Sequence, residues 1–128
     1  MAIVRRPGCS VEVVLDEHMH LPEEERAVFT IRVLDREEWK RWGRKADRAQ
    51  LGRATGVDFA NSLVGLALED VRGLQVEGPG GEIEDFVLSK TGDSLTDDSA
   101  SVLYPFINEL MAKIQGAATL RREQAKNE

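Results

Sequence analysis

The chain has 128 residues, of which 41% are hydrophobic and 31% charged, and a formal net charge of -6. This length suits one domain with a single modest core, and the balance is that of a folded rather than a disordered chain. The acidic excess argues against broad affinity for nucleic acid, whose phosphates call for clustered Lys and Arg.

In chain order, the first predicted element runs from Ser10 to Asp16. Val11, Val13 and Leu15 share one face by the two-residue period of a strand, with Glu12 and Asp16 opposite. Ala27 to Leu34 repeats the pattern, with Phe29, Ile31 and Val33 inward and Thr30 and Arg32 outward. Between them Glu17 to Arg26 holds Pro22 and three consecutive glutamates, so two antiparallel strands joined by a long, exposed, acidic connection are expected. A lone hairpin is marginal in water, and helices must cover its apolar face.

Asp35 is a natural N-cap for a helix beginning Arg36-Glu37-Glu38-Trp39, because its carboxylate accepts from a free backbone N–H and the glutamates suit the positive helix start. Trp39 and Trp42, three apart, read as its core face, with an exposed binding platform as the alternative. The basic residues from Arg36 to Arg53 are interrupted by Glu37, Glu38 and Asp47 and read as a solvated face. Gly52 and Gly56 bracket a break. From Asp58 to Val71 a second helix is predicted, with Phe59, Leu63, Leu66 and Asp70 in one row, Val64, Leu68 and Val71 beside it, and Gly73 ending it. The glycine-rich passage that follows reads as turns with short extended pieces at Leu74–Glu77 and Ile83–Leu88. A last helical region starts at Thr96 or Asp97. Pro105 should kink it or begin a new helix, after which Phe106, Ile107, Leu110, Met111 and Ile114 have helical spacing.

Few residues offer chemistry. Glu17-His18-Met19-His20, with Cys9 as a further ligand, is the sharpest metal candidate, but no second cluster stands at ligand spacing, so a solvated loop is preferred. Cys9 is the sole cysteine, which precludes an intrachain disulfide and fits a reducing, cytosolic setting. It has no obvious catalytic partner, and no Gly-x-Ser-x-Gly elbow occurs. Asp93, Asp97 and Asp98 read as loop and capping residues rather than an acid–base pair. Gly78-Pro79-Gly80-Gly81 lacks the Gly-Lys-Ser/Thr ending of a phosphate loop and reads as a tight turn. Met1 to Pro7 has no apolar stretch of a secretory signal, and no run approaches the ~20 apolar residues of a membrane span.

Several segments together resemble a known pattern. Leu21-Pro22-Glu23-Glu24-Glu25-Arg26, followed by Val28-Phe29-Thr30-Ile31-Arg32-Val33-Leu34, is similar to the opening of small proteins of tailed bacteriophages and prophages, where a Leu-Pro-x-Glu connection precedes a Thr-x-Phe-x-x-Arg-x-Leu strand. The stretch from Leu66 to Leu74 resembles their helix-ending segment, which leads into a Gly turn as Gly80-Gly81 does here. The closing Leu103 to Ile114 helix, with Leu120, Glu123, Lys126 and Asn127, resembles their Leu-x-x-Glu-x-x-Lys-Asn ending. Where that family carries a Trp near the end of the central helix, this chain has Leu68 and Val71. The family is the tail assembly chaperones of long-tailed phages. The resemblance implies a non-enzymatic protein that binds the tape-measure protein, keeps it soluble, recruits tail-tube subunits and leaves the finished tail. Such proteins are often made in a short form and a frameshifted longer form.

The expected fold is α+β: a small antiparallel β-hairpin or sheet packed against three or four helices, with a mostly helical C-terminal part. One domain is expected over 1–128, with the hairpin at 10–34, the helical part at 36–120 and a polar tail at 121–128. Met111, Ile114 and Leu120 form the stripe expected to bind partners, namely tape-measure and tail-tube proteins or a second copy. No catalytic residue, cofactor, metal, nucleic acid or membrane contact is expected, and the location is the bacterial cytoplasm. The alternatives are a head–tail or tail-completion subunit that stays in the virion, and an unrelated metal-binding regulator using His18 and His20.

Overall fold

A computed structural model describes residues 2–50, 56–117 and 119–121. The alternation around Val11 and Phe29 gives strands β2 (Ser10–Val13) and β3 (Val28–Arg32), preceded by β1 (Ala2–Val4). β2 and β3 pair antiparallel, Val11 opposite Ile31 and Val13 opposite Phe29, and all four side chains are buried. The acidic connection is largely exposed, as expected, and carries local structure. It forms 3-10 turns at Asp16–His18 and Glu23–Glu25, and Arg26 donates to the carbonyls of Leu21 and Met19, each at 2.7 Å.

A third strand corrects the reading of the middle of the chain. Helix α1 (Arg36–Gln50) and helix α2 (Gly56–Ala67) follow β3, but α2 stops at Ala67, and β4 (Leu68–Arg72) pairs antiparallel with β3. The central sheet therefore has the order β2-β3-β4. The register slips between Thr30 and Ile31, which face Asp70 and Leu68, so Glu69 is an extra residue in β4. That bulge lets Leu68 and Val71, three apart, both turn into the core. Gly73, at φ 74, ends this strand rather than the helix.

Side chains from elsewhere meet the carbonyls freed where α2 ends. Lys90 Nζ donates to Gly65 O at 3.0 Å and Leu68 O at 2.9 Å, and Arg32 Nη2 donates to Leu66 O at 3.1 Å. Both cations suit the negative end of a helix.

Beyond β4, among the described residues, come two ribbons and two helices. β5 (Gln75–Glu77) pairs with β6 (Ile83–Asp85) across a turn in which Gly81 has φ 86. β7 (Lys90–Thr91) pairs with β8 (Ser94–Leu95). Helix α3 (Asp97–Leu103) starts at Thr96, whose Oγ1 accepts from Ser99 N. Pro105 sits in a 3-10 turn, Tyr104–Phe106, and α4 (Ile107–Gly116) begins after it. β9 (Thr119–Arg121) then pairs antiparallel with β1. The region expected to be helical at 36–120 thus contains strands β4 to β9. The expected polar tail begins with a strand residue, Arg121; residues 122–128, and Gly52 in the expected break, lie outside the described residues.

The core lies between the inner face of β2-β3-β4 and the helices. Phe29, Ile31, Leu63, Val64, Leu68, Leu103 and Leu110 are fully buried there, and α2 packs against α4, α1 and the β7–β8 ribbon. Phe106 meets Phe29 edge-to-face at 6.4 Å. Trp39 and Trp42, edge-to-face at 5.7 Å, are partly buried against the same core.

Candidate functional site

The expected partner stripe is divided by the fold. Ile107, Leu110 and Ile114 occupy one face of α4 and are buried, Ile114 at 3% exposure. Met111 is half-buried against the core beside them. Leu120 lies beyond the end of α4, in β9, where it pairs with Ile3. Met111, Ile114 and Leu120 therefore do not form one helical surface. Ile114 is a core residue, since the helical spacing of this stretch is used against α2. The polar flank of α4 is fixed too: Glu109 Oε2 accepts from Asp16 N at 2.6 Å, and Lys113 Nζ pairs with Asp16 Oδ1 at 3.0 Å.

His18 ends the Asp16–His18 turn, half-buried, and meets the ring of Phe106 edge-to-face at 6.0 Å. His20 and Cys9 are exposed. Among the described residues no group of three or more His, Cys, Asp or Glu side chains is placed to hold a metal ion. No helix among them is long and apolar enough to cross a membrane.

The strongest electrostatic feature is a buried pair that sequence reading divided between an outward strand position and a helix start. Arg32 of β3 binds Glu38 of α1 through both nitrogens, Nη1 to Oε1 at 2.7 Å and Nη2 to Oε2 at 2.5 Å. Glu38 is only 7% exposed. Its Oε1 also accepts from Asp35 N at 3.0 Å, while Glu38 N donates to Asp35 Oδ1 at 2.8 Å. This is a reciprocal capping box with Asp35 at the N-cap, as the helix start predicted. The hydrogen bonds from Arg32, helped by that from Asp35, hold the Glu38 carboxyl below its ordinary value against the opposing effect of burial. The bond to Glu38 likewise raises Arg32. The hydrogen bonds of this pair tie sheet, α1 and α2 together.

A second buried polar group does similar work. Ser99, fully buried in α3, accepts from Ser89 N at 3.0 Å, and its hydroxyl lies 3.0 Å from that of Ser89, which is 2.6 Å from Thr96 Oγ1. These hydroxyls join the strand region to the start of α3.

The surface carries the remaining features. Ile83 and Val87, 59% and 76% exposed, flank the acidic β5–β6 ribbon with Glu77, Glu82, Glu84 and Asp85. A small cleft of about 80 Å³ lies among Arg41, Trp42, Ser62, Leu66 and Asp93, where Arg41 faces Asp93 at 3.5 Å. A larger, shallow groove of about 420 Å³ runs between α2 and α3, lined by Asn61, Asp97, Ala100, Ser101 and Tyr104. Sequence patterning gave no signal for it, because its residues come from segments more than thirty positions apart.

No protein-family model, curated protein or solved structure matches the chain.

Proposed function

We propose that the chain is a non-enzymatic tail-morphogenesis protein of a phage or prophage: a tail assembly chaperone that binds the tape-measure protein and tail-tube subunits in the bacterial cytoplasm. The observation that carries the reading is where the molecule uses its polar and apolar groups. Glu38 and Ser99, its buried polar side chains among the described residues, both bond inward and fix helix starts. Large apolar side chains, meanwhile, stand on the surface at Met19, Ile83, Val87 and Tyr104. Such groups recognise proteins, whose contacts join apolar anchors to a polar rim. The resemblance of its sequence segments to that family supplies the biological setting.

Met111, half-buried on α4, keeps some exposed surface for a partner. Self-association through the exposed apolar groups belongs to the same proposal.

The test is a pull-down of the tagged full chain from cells expressing the neighbouring open reading frames, read by mass spectrometry. Recovery of a very long, helix-rich tape-measure protein is the expected result. Recovery of capsid, portal or tube proteins alone would move the assignment to a structural subunit, and recovery of no phage protein would remove it.

A further inference from the structure

We infer that the free edge of β6 receives an extended, basic segment of a partner protein as an added strand. The inference rests on the reading above that the chain acts by binding proteins, and it names the surface and the chemistry of what is bound. Its basis is the pairing of the β5–β6 ribbon. Gly78 N donates to Glu82 O and Phe86 N to Leu74 O, each at 2.8 Å, and Val76 faces Glu84 between them. Bonded and non-bonded pairs alternate along an antiparallel ladder. Ile83 and Asp85 therefore turn their backbone N–H and C=O groups away from β5, and among the described residues no strand pairs with that side of β6.

The side chains of the ribbon divide by face. Toward the core, Phe86 is buried, and Leu74 and Val76 pack partly buried against it. The outward row is Ile83, Asp85 and Val87, and its two apolar members are 59% and 76% exposed. One apolar side chain standing singly on a surface is ordinary. Two in one row, beside unpaired backbone groups, are what an added strand covers: its amides complete the ladder, and its alternate side chains lie along the row.

Charge decides which kind of strand fits. From Gly73 to Ser89 the chain carries Glu77, Glu82, Glu84 and Asp85 but no Lys, Arg or His. None of these carboxylates is in an ion pair among the described residues, and Asp85 accepts from Gln75 Nε2 at 3.4 Å. A second copy paired at this edge would set Glu84 and Asp85 against the same acids, and like charges across strands repel. A segment with Lys or Arg opposite Glu84 and Asp85, and apolar side chains opposite Ile83 and Val87, complements both the charge and the apolar row.

The probe is the blocked peptide Thr-Val-Lys-Arg-Lys-Val-Thr, whose symmetric sequence meets the edge in either strand direction, titrated into the full ¹⁵N-labelled chain. The Ile83 and Asp85 amides should shift saturably, with a Kd of order 0.1–1 mM, and gain protection from hydrogen exchange. N-methylation of the central Arg amide deletes a donor and keeps the charge, and it should weaken binding about fivefold or more. A counterpart with Glu in place of Lys and Arg should not bind, and the double variant Glu84→Lys, Asp85→Lys should reverse that preference. Equal binding of the N-methylated peptide, an unchanged preference in the double variant, or no saturation below about 10 mM would each overturn the inference. So would Ile83 and Asp85 shifts that follow protein concentration without peptide, which would give the edge to a second copy. Peptide binding without recovery of a tape-measure protein would keep the edge and remove the tail reading. No peptide binding, with recovery of that protein unaffected by the double variant, would do the opposite.

Discussion

Replacing Arg32 with Met removes the charge that holds Glu38 inside the protein while keeping most of the side chain's length. Glu38 would keep one bond, from Asp35 N, and lose two charge-assisted ones at 2.7 and 2.5 Å. Breaking a buried ion pair by removing one partner costs about 3–5 kcal/mol when both ends are dry. Here the Arg32 side chain is 29% exposed and that of Glu38 is 9%, so water reaches one end and about 2–3 kcal/mol is the expected loss. For a chain of this length that is roughly a 6–12 °C fall in the unfolding midpoint. The pH dependence has a definite sign. Glu38 is held below its ordinary value of 4.5, so the pair's contribution is present at neutral pH and is lost as pH falls through the lowered folded value. The gap between wild type and Arg32→Met, measured by denaturant unfolding monitored by circular dichroism, should be widest near pH 7 and close below that value. A loss under about 0.5 kcal/mol at pH 7, or a gap unchanged at acid pH, would refute the reasoning.

Three further outcomes follow from packing. Gly65→Ala would place a Cβ 2.6 Å from Asp93 O and 2.9 Å from Leu95 N, both backbone atoms. Despite the better helix propensity of Ala, thermal unfolding should show a loss of about 1–3 kcal/mol. Ser99→Ala leaves Ser89 N without its acceptor at the start of α3 and should cost about 1–2 kcal/mol in the same assay. Ile114→Asp places a charge in the core and should abolish cooperative unfolding, whereas Met111→Asp, at a half-buried site, should leave a folded protein. The reverse order of severity would remove Ile114 from the core.

The sequence made some elements plain and disguised others for physical reasons. Val11, Val13, Phe29 and Ile31 alternate because a sheet with one buried face demands it, and their strands were readable at once. Asp35 and Thr96 announced helix starts because capping depends on a local side chain. β4 was hidden by its own bulge. Leu68 and Val71 lie three apart, which mimics one face of a helix, and only the extra residue at Glu69 lets a strand bury both. Pairing with β3 and the donors Arg32 and Lys90, remote in sequence, decide where α2 ends. The expected partner stripe was divided for a similar reason. The helical spacing of Ile107, Leu110 and Ile114 says that a face is apolar, but not whether a partner or the protein's own α2 covers it. The α2–α3 groove left no mark in the sequence because it is made by packing alone.

The central claim, chaperoning of a tape-measure protein, is tested most directly by solubility. The longest tail-region open reading frame would be expressed alone and with this chain, and its soluble fraction measured after centrifugation. The account predicts that the long protein precipitates alone and is recovered soluble, in complex with this chain, when the two are made together. A tape-measure protein whose solubility is the same with and without the chain, and from which the chain separates on size-exclusion chromatography, would contradict it.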